Sequence, residues 1–367
     1  MNDSEWFAVF ALGPVACGGL LLAFVKYFKA APTQWAWLRL VAGNALVLLF
    51  VSSLVFLGGE IYYRYIYDAS DAFNYTKTSE RWQARYYQSN ALGLRGDLKY
   101  GLRIPLGKRR IIFLGDSFTA GHGIKDVEDR FANRIRKANP QWEVPTLAGL
   151  GLDTGDEIAV LERIIGLGFQ LDQVVLVYCL NDISDIVPEW NDIVARIYDD
   201  RPKQNWLVRN SYFANTIYYR LKARLDPNIA NYYDFLSSAY RGPLWEQQKN
   251  RLRTLRNLVK SHGGNLLVVT FPFLHAPLDD TYPYRFVHRQ LEEFWRELNV
   301  PHLDLLPVYQ GLPPRELVVN QFDPHPNELA HGLAADPIQK FLDENLTAGS
   351  EPSSTNRRAF PTQLRAP

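Results

Sequence analysis

The sequence predicts an α/β protein built on a parallel sheet and preceded by two transmembrane helices. Two observations carry this. After Lys108, short runs rich in Val, Ile and Leu alternate with stretches of helical period, which is the pattern of strand-helix units around a parallel sheet. Before it stand two apolar runs of about 20 residues, each long enough for a helix to cross the hydrocarbon core of a bilayer. The chain therefore divides into a membrane hairpin (1–60), a linker and lead-in (61–107), an α/β domain (108–346) with an insertion at 183–241, and a disordered tail (347–367).

The first apolar run, 6–25, carries no charge. The second, 38–57, includes Arg39 and Asn44, but Arg39 lies near an end and can snorkel to the headgroups, and a lone Asn can bond a neighbouring helix. Asp3 and Glu5 precede the first run where a signal peptide would carry basic residues. Pro-Val-Ala-Cys17-Gly is similar to a lipoprotein cleavage box, but proline replaces the usual Leu or Val and the basic leader is missing. Lys26, Lys29 and Arg39 crowd the connecting loop, so the positive-inside rule puts that loop in the cytoplasm and everything after residue 60 in the periplasm or outside the cell. Tyr62, Tyr63, Tyr65 and Tyr67 fall where an interfacial aromatic belt belongs. The alternative, a buried hairpin in a soluble protein, would need two core helices of unusual length.

Residues 68–106 are polar and aromatic without a clear period and read as the linker that leads into the first strand. Then come a strand at 110–114, a helix within 131–137, a strand at 144–147, a helix at 154–165 and a strand at 173–178. At 183–241 the alternation breaks into a segment rich in Tyr, Trp and Asn, longer than an ordinary loop. It reads equally as extra surface helices or as a lid whose aromatic side chains stack on sugars or cover a lipid chain. Alternation resumes with a helix at 244–261, a strand at 266–271, a helix at 283–298, a strand at 302–306 and a closing amphipathic helix at 328–342. A composition of 47% hydrophobic and 22% charged residues in 367 is ordinary for a globular protein. A net charge of +1 with no dense Lys/Arg stripe argues against a nucleic-acid partner, and two cysteines, Cys17 and Cys179, exclude a disulfide framework or a Cys-rich metal site.

The chemistry concentrates at the carboxyl ends of the strands, where open α/β proteins place ligands. Ser117 stands on the turn leaving the first of them, in Leu114-Gly-Asp-Ser117. Alone, those turn residues are equally what a helix N-cap needs. A serine becomes a nucleophile only with a base to take its proton and a group to fix the tautomer of that base. Asp323-Pro-His325-Pro follows the last strand and returns to the same edge. Pro324 and Pro326 hold the segment out of helix, so His325 and Asp323 can face one cleft. Acyl transfer also needs donors for a developing oxyanion. Gly149 and Gly151 after the second strand let backbone N–H groups approach a substrate, and Asn181 after the third offers an amide. A tight turn and a strand stop explain each singly; their order after three successive strands points to one site.

As a set, Gly115-Asp116-Ser117, Gly151, Asn181 and Asp323/His325 resemble the four blocks of the SGNH, or GDSL-type, hydrolases. The resemblance runs from residue 90 to about 342 and includes the lead-in Asn90-Ala-Leu-Gly-Leu-Arg95. It implies a flavodoxin-like three-layer α/β/α sandwich, Ser117 attacking an ester, His325 as base and Asp323 orienting it. It also implies an oxyanion hole from the N–H of Ser117, the N–H of Gly151 and the amide of Asn181, with no metal or organic cofactor. Members of the family act on carbohydrate O-acyl groups, lipids and thioesters, and some transfer the acyl group. The expectation is a membrane-anchored serine esterase hydrolysing O-acyl, chiefly acetyl, esters of an envelope glycan or related glycoconjugate, with an acylated glycan or lipid as substrate. An O-acyltransferase of extracellular polysaccharide and a non-catalytic glycan-binding scaffold stay open beside it. Two departures stand out. Cys179 occupies a position usually held by glycine and could narrow the pocket, and Asp323-Pro-His325 is one residue shorter than the common Asp-x-x-His. The carboxylate role could then pass to Asp304 or a backbone carbonyl. His122, in the turn leaving Ser117, and His331, inside a predicted helix, read as surface or packing residues.

Overall fold

A computed structural model describes residues 2–28, 35–90, 94–96, 100–199 and 201–348. Lys29, residues 91–93 of the lead-in and all of the expected tail beyond residue 348 lie outside these described residues. The chain opens with helices α1 (Asp3–Phe28) and α2 (Ala36–Ile61). They lie antiparallel, since Arg39 donates to Phe28 O (3.2 Å) at one end and Arg64 donates to Asp3 O (2.6 Å) at the other. Both are long and apolar enough to span a membrane, with mean hydropathy 2.2 for α1 and 2.4 for α2 with its continuation to Ile66. Their outer faces are bare apolar side chains: Val15, Leu22, Leu40 and Leu48 are each more than half exposed.

Past a π-helical turn (Tyr62–Ile66), residues 61–107, read from sequence as linker and lead-in, carry helix α3 (Lys77–Tyr86). Thr76 caps α3 by accepting from the Ser79 N–H (3.1 Å). Next come β1 (Arg109–Gly115), α4 (Ser117–Ala120), α5 (Phe131–Ala138), β2 (Trp142–Glu143), β3 (Thr146–Ala148), α6 (Thr154–Gly166) and β4 (Gln173–Cys179). The insertion folds as α7 (Pro188–Val194), α8 (Trp206–Asn210), α9 (Tyr212–Leu225), α10 (Pro227–Ala230) and α11 (Tyr232–Ala239). The domain closes with α12 (Pro243–Ser261), β5 (Asn265–Phe271), α13 (Arg285–Glu297), β6 (His302–Asp304), α14 (Leu306–Tyr309), α15 (Pro314–Leu317), the hairpin β7 (Val318–Asn320) and β8 (Asp323–Pro326), and α16 (Glu328–Ala348).

The central sheet is parallel: β1 pairs with β2 and β3 on one side and β4 on the other, β4 pairs with β5, and β5 with β6. β1, β4 and β5 are continuous apolar runs because both of their faces are buried. Alternation along the strands defines those faces. Phe113 and Phe271 meet Phe131 of α5 on one, and Phe271 also meets His331 of α16. Tyr178, one residue before the Phe271 partner Cys179, points to the opposite face, where its hydroxyl meets Gln248 of α12 (3.2 Å). Helices therefore cover both faces, as the sequence predicts. Where the sequence predicts one strand at 144–147, the structure has two short ones, β2 before it and β3 overlapping its second half, with Val144 and Pro145 between them. Pro145 has no N–H for the ladder; its carbonyl still accepts from Phe113 N (3.0 Å).

The apolar hairpin is joined to the insertion through buried charge. Glu60 is sealed from solvent and accepts from Arg64 Nε (2.8 Å), Ser211 Oγ (2.7 Å), Tyr212 N (3.2 Å) and Phe213 N (3.0 Å). It thus pairs with Arg64 and caps the N-terminus of α9. Arg64 also donates to Asn210 O (3.1 Å). A side chain at Gly59 would meet the Phe213 ring at 2.6 Å, so the helices touch backbone to ring. Replacing Glu60 by Leu leaves Arg64 and the first N–H groups of α9 buried without their acceptor. The expected loss is about 3–5 kcal/mol, read as a lowered midpoint in thermal unfolding of the full chain in detergent.

Candidate active site

The turn between β1 and α4 is built around two small requirements. A Cβ at Gly115 would lie 2.9 Å from Val177 O of the neighbouring strand and collide with Thr119, so only glycine lets the chain turn there. Asp116 then caps α4, its Oδ1 accepting from Phe118 N (2.9 Å), while its Oδ2 accepts from Asn181 Nδ2 (3.0 Å). Burial pushes the Asp116 carboxyl up, against the pull of the Asn181 and Phe118 bonds. The same carboxylate therefore ties the turn after β1 to the loop after β4 and leaves Ser117 facing a cavity.

Ser117 Oγ lies 2.8 Å from His325 Nε2, and His325 Nδ1 lies 2.5 Å from Asp323 Oδ1. Asp323 and His325 share β8, and residues two apart on an extended strand point to the same side, which is why the short Asp-Pro-His spacing suffices. Asp304, the alternative partner, instead bonds His288 Nδ1 (2.8 Å) and Leu306 N (2.9 Å), fastening α13 and α14 to β6. Asp323 is fully buried; burial would raise its pKa, but the His122 and His325 rings and the Ser70 hydroxyl outweigh it and hold the carboxyl well below the usual range.

Gly151 stands after β3 with a left-handed backbone (φ 70°) and nothing within 4 Å of where a Cβ would lie. Among the described residues no acceptor is bonded to the N–H of Ser117 or of Gly151. Both residues and Asn181 line one cavity of about 260 Å³ together with His325. Its walls are aromatic: Phe73 from the segment before α3, Trp190, Tyr198, Tyr232 and Tyr233 from the insertion, and Phe273 and His275 from the loop after β5. Cys179 is fully buried within β4 and is not among the lining residues, so the narrowing considered from sequence does not arise there.

Two contacts to the site had no signal in the sequence. His122 is buried with its ring 4.6 Å from that of His325, its Nε2 2.9 Å from Asp71 O and 3.4 Å from Asp323 Oδ2. Ser70 donates to the same Oδ2. Both Ser70 and Asp71 come from the aperiodic stretch after α2. His122, Asp323 and His325 offer donor atoms within 4.8 Å of one another. Nε2 of His122 and both ring nitrogens of His325 are engaged in the hydrogen bonds just described, while Nδ1 of His122 has no partner among the described residues. His331 lies elsewhere, stacked on Phe131 and accepting from Phe131 N (3.4 Å).

Fold and site together define an α/β protein with a serine, histidine and aspartate hydrogen-bonded in series at the carboxyl edge of a parallel sheet. No protein-family model matches the chain, and no curated protein matches it. Among solved structures it is similar to a member of the lipolytic protein G-D-S-L family from Veillonella parvula DSM 2008, at 14% identity and TM-score 0.39 over 63% of this chain and 97% of that one. The lipase/acylhydrolase from Enterococcus faecalis aligns at 15% identity and TM-score 0.38, over 65% and 96%. A two-domain esterase active on acetylated mannans aligns at 17% identity and TM-score 0.36, over 70% and 54%. Likenesses this loose leave the chemistry to be read from the atoms of the site.

His331 supplies a check on the packing role. Burial holds it neutral by lowering its pKa to about 3, against about 6.5 in the unfolded chain. Between these values the unfolded state binds the extra proton, so this residue costs stability as pH falls through about 6.5. Replacing it by Leu removes that dependence: from pH 8 to pH 5 the stability of the variant should improve relative to wild type by about 2 kcal/mol, measured by denaturant unfolding at both values.

Proposed function

We propose that the protein is a membrane-anchored serine esterase that removes O-acyl groups from an envelope glycan or related glycoconjugate. The observation that carries this reading is the 2.8 Å contact of Ser117 Oγ with His325 Nε2, with Asp323 at 2.5 Å behind it. In the reaction, Ser117 Oγ attacks the acyl carbon while its proton passes to His325 Nε2. Asp323 fixes the tautomer that presents Nε2 to the serine and stabilises the imidazolium that forms. The carbonyl oxygen becomes an oxyanion held by the N–H groups of Ser117 and Gly151 and the Nδ2 amide of Asn181. Collapse expels the alcohol, which takes the proton from His325; water, activated by the same histidine, then releases the acid and restores Ser117.

The cavity supports the substrate part of this reading. At about 260 Å³ it falls just below the usual range for small-molecule sites, which suits a short acyl group such as acetyl. Aromatic faces around a few polar groups suit a sugar ring beside it. Transfer to a bound sugar hydroxyl is the second reading, favoured if the substrate, seated against Ser117 and His325, which are only 7% and 8% exposed, keeps water from the acyl-enzyme. The bare outer faces of α1 and α2 and the basic residues between them support a hairpin in the membrane with the catalytic domain outside the cytoplasm.

A fluorophosphonate probe should label wild type and not Ser117→Ala, and hydrolysis of 4-nitrophenyl acetate should fall at least about 10⁴-fold in that variant. Equal labelling of both proteins would refute the assignment. With an acetylated donor and a glycan acceptor, free acetate alone identifies hydrolysis and acetylated acceptor identifies transfer. For topology, Arg224→Cys places an exposed thiol on α9, while native Cys179 is buried and Cys17 lies within α1. Labelling of this variant on intact cells by an impermeant maleimide is expected, and protection overturns the exterior placement.

A further inference from the structure

Asp323 is the one member of the series with no access to water, and each of its oxygens has its own set of partners. Oδ1 takes both contacts to His325, from Nδ1 (2.5 Å) and from the backbone N–H (3.2 Å). Oδ2 takes the Ser70 hydroxyl and faces His122 Nε2 at 3.4 Å. Nε2 of His122 also lies 2.9 Å from Asp71 O. Both neighbours of that nitrogen are acceptors, so it carries the hydrogen. The ring stays neutral, since burial pulls its pKa down to about 4 against the opposing pull of Asp323.

Ser70 is not a passing contact. Its carbonyl accepts from Asn320 Nδ2 (3.1 Å), and the next residues are pinned in turn: Ala72 N donates to Phe322 O (3.0 Å) and Asp71 N donates to Ser79 Oγ (3.1 Å). The Asp71 carboxylate folds the chain onto the start of α3 by accepting from Tyr75 N (3.0 Å) and Thr76 Oγ1 (2.6 Å). The segment leaving the second apolar helix is thus strapped across the β7–β8 hairpin, with Ser70 at the point of contact. A buried carboxylate with one oxygen unpaired would be driven to rotate or to take up a proton, and either change would release His325.

We propose that Ser70 and His122 are positioning residues of the site: they hold Oδ2 of Asp323 so that Oδ1 stays on His325, and through Ser70 the segment emerging from the membrane helix completes the catalytic machinery. This rests on the reading of Ser117 and His325 as an acyl-transfer pair. Ser70 does not line the cavity, so its loss acts on turnover and not on binding, whereas His122 also lines the cavity wall.

The test uses the full chain in detergent, with kcat for 4-nitrophenyl acetate normalised to active sites titrated to completion with a fluorophosphonate, so that unfolded protein does not enter the rate. Ser70→Ala should lower kcat about 10- to 100-fold with KM within about twofold, the size of effect that small misplacement produces. Ser70→Thr keeps the hydroxyl and should restore kcat to within about threefold of wild type, while Ser70→Cys, a weaker donor, should fall between Ala and Thr. His122→Phe keeps a ring beside His325 and removes the N–H, and should also lower kcat. A flat series at Ser70 in which Ser117→Ala alone is inactive overturns the positioning role and leaves the esterase reading intact. Turnover by Ser117→Ala, here taken per mole of folded protein, equal to that of wild type removes the esterase reading, and the positioning role falls with it.

Discussion

The hydrogen bond between Ser117 and His325 joins residues 208 positions apart, and much of the fold is what it takes to close that gap. A parallel sheet supplies the frame, because it delivers every strand's carboxyl end to the same edge. The turn after β1 brings Ser117 there, the loops after β3 and β4 bring Gly151 and Asn181, and the β7–β8 hairpin returns with His325. Strand register alone would leave these loops free to wander. Asp116 removes that freedom, since its buried carboxylate must be met by donors, and the donors it finds belong to its own helix and to Asn181.

The same rule governs the joint between the apolar hairpin and the rest of the chain. Glu60 and Arg64 are charged and buried, which is tolerable only with full pairing, and the partners they find lie on α1 and at the start of α9. Trp206 adds an apolar contact, stacking on Trp6 and Phe10. The insertion thereby has one end fixed to the hairpin and another, through Trp190, Tyr232 and Tyr233, forming a wall of the cavity. The orientation of the cavity relative to a bilayer would follow from that joint and not from a flexible tether.

How far the sequence could be read depended on whether a contact left a periodic trace. β1, β4 and β5 were legible because burial on both faces forces continuous apolar residues. The π-turn, α3 and the polar knot of Ser70, Asp71 and Thr76 were not, since their residues are chosen by partners far along the chain: Asp323 for Ser70, Asn215 for the Lys77 N–H, Phe322 for the Ala72 N–H. The split of the second strand was readable in principle from Pro145, whose missing N–H marks a break in any ladder. His122 was named, but its position beside Ser117 gave no hint that it turns back toward Asp323.

By itself, then, the sequence determined the strand-helix alternation and the two apolar helices, and it put Ser117, Gly151, Asn181 and His325 forward as candidates at one sheet edge, because period, run length and place after a strand are local properties. Only the tertiary structure decided that Asp323 and not Asp304 meets His325, that Cys179 stays out of the cavity, and that Ser70 and His122 share the far oxygen of Asp323. Those outcomes are hydrogen bonds between distant segments, where what matters is the distance between two polar atoms in space, and no spacing along the chain encodes it.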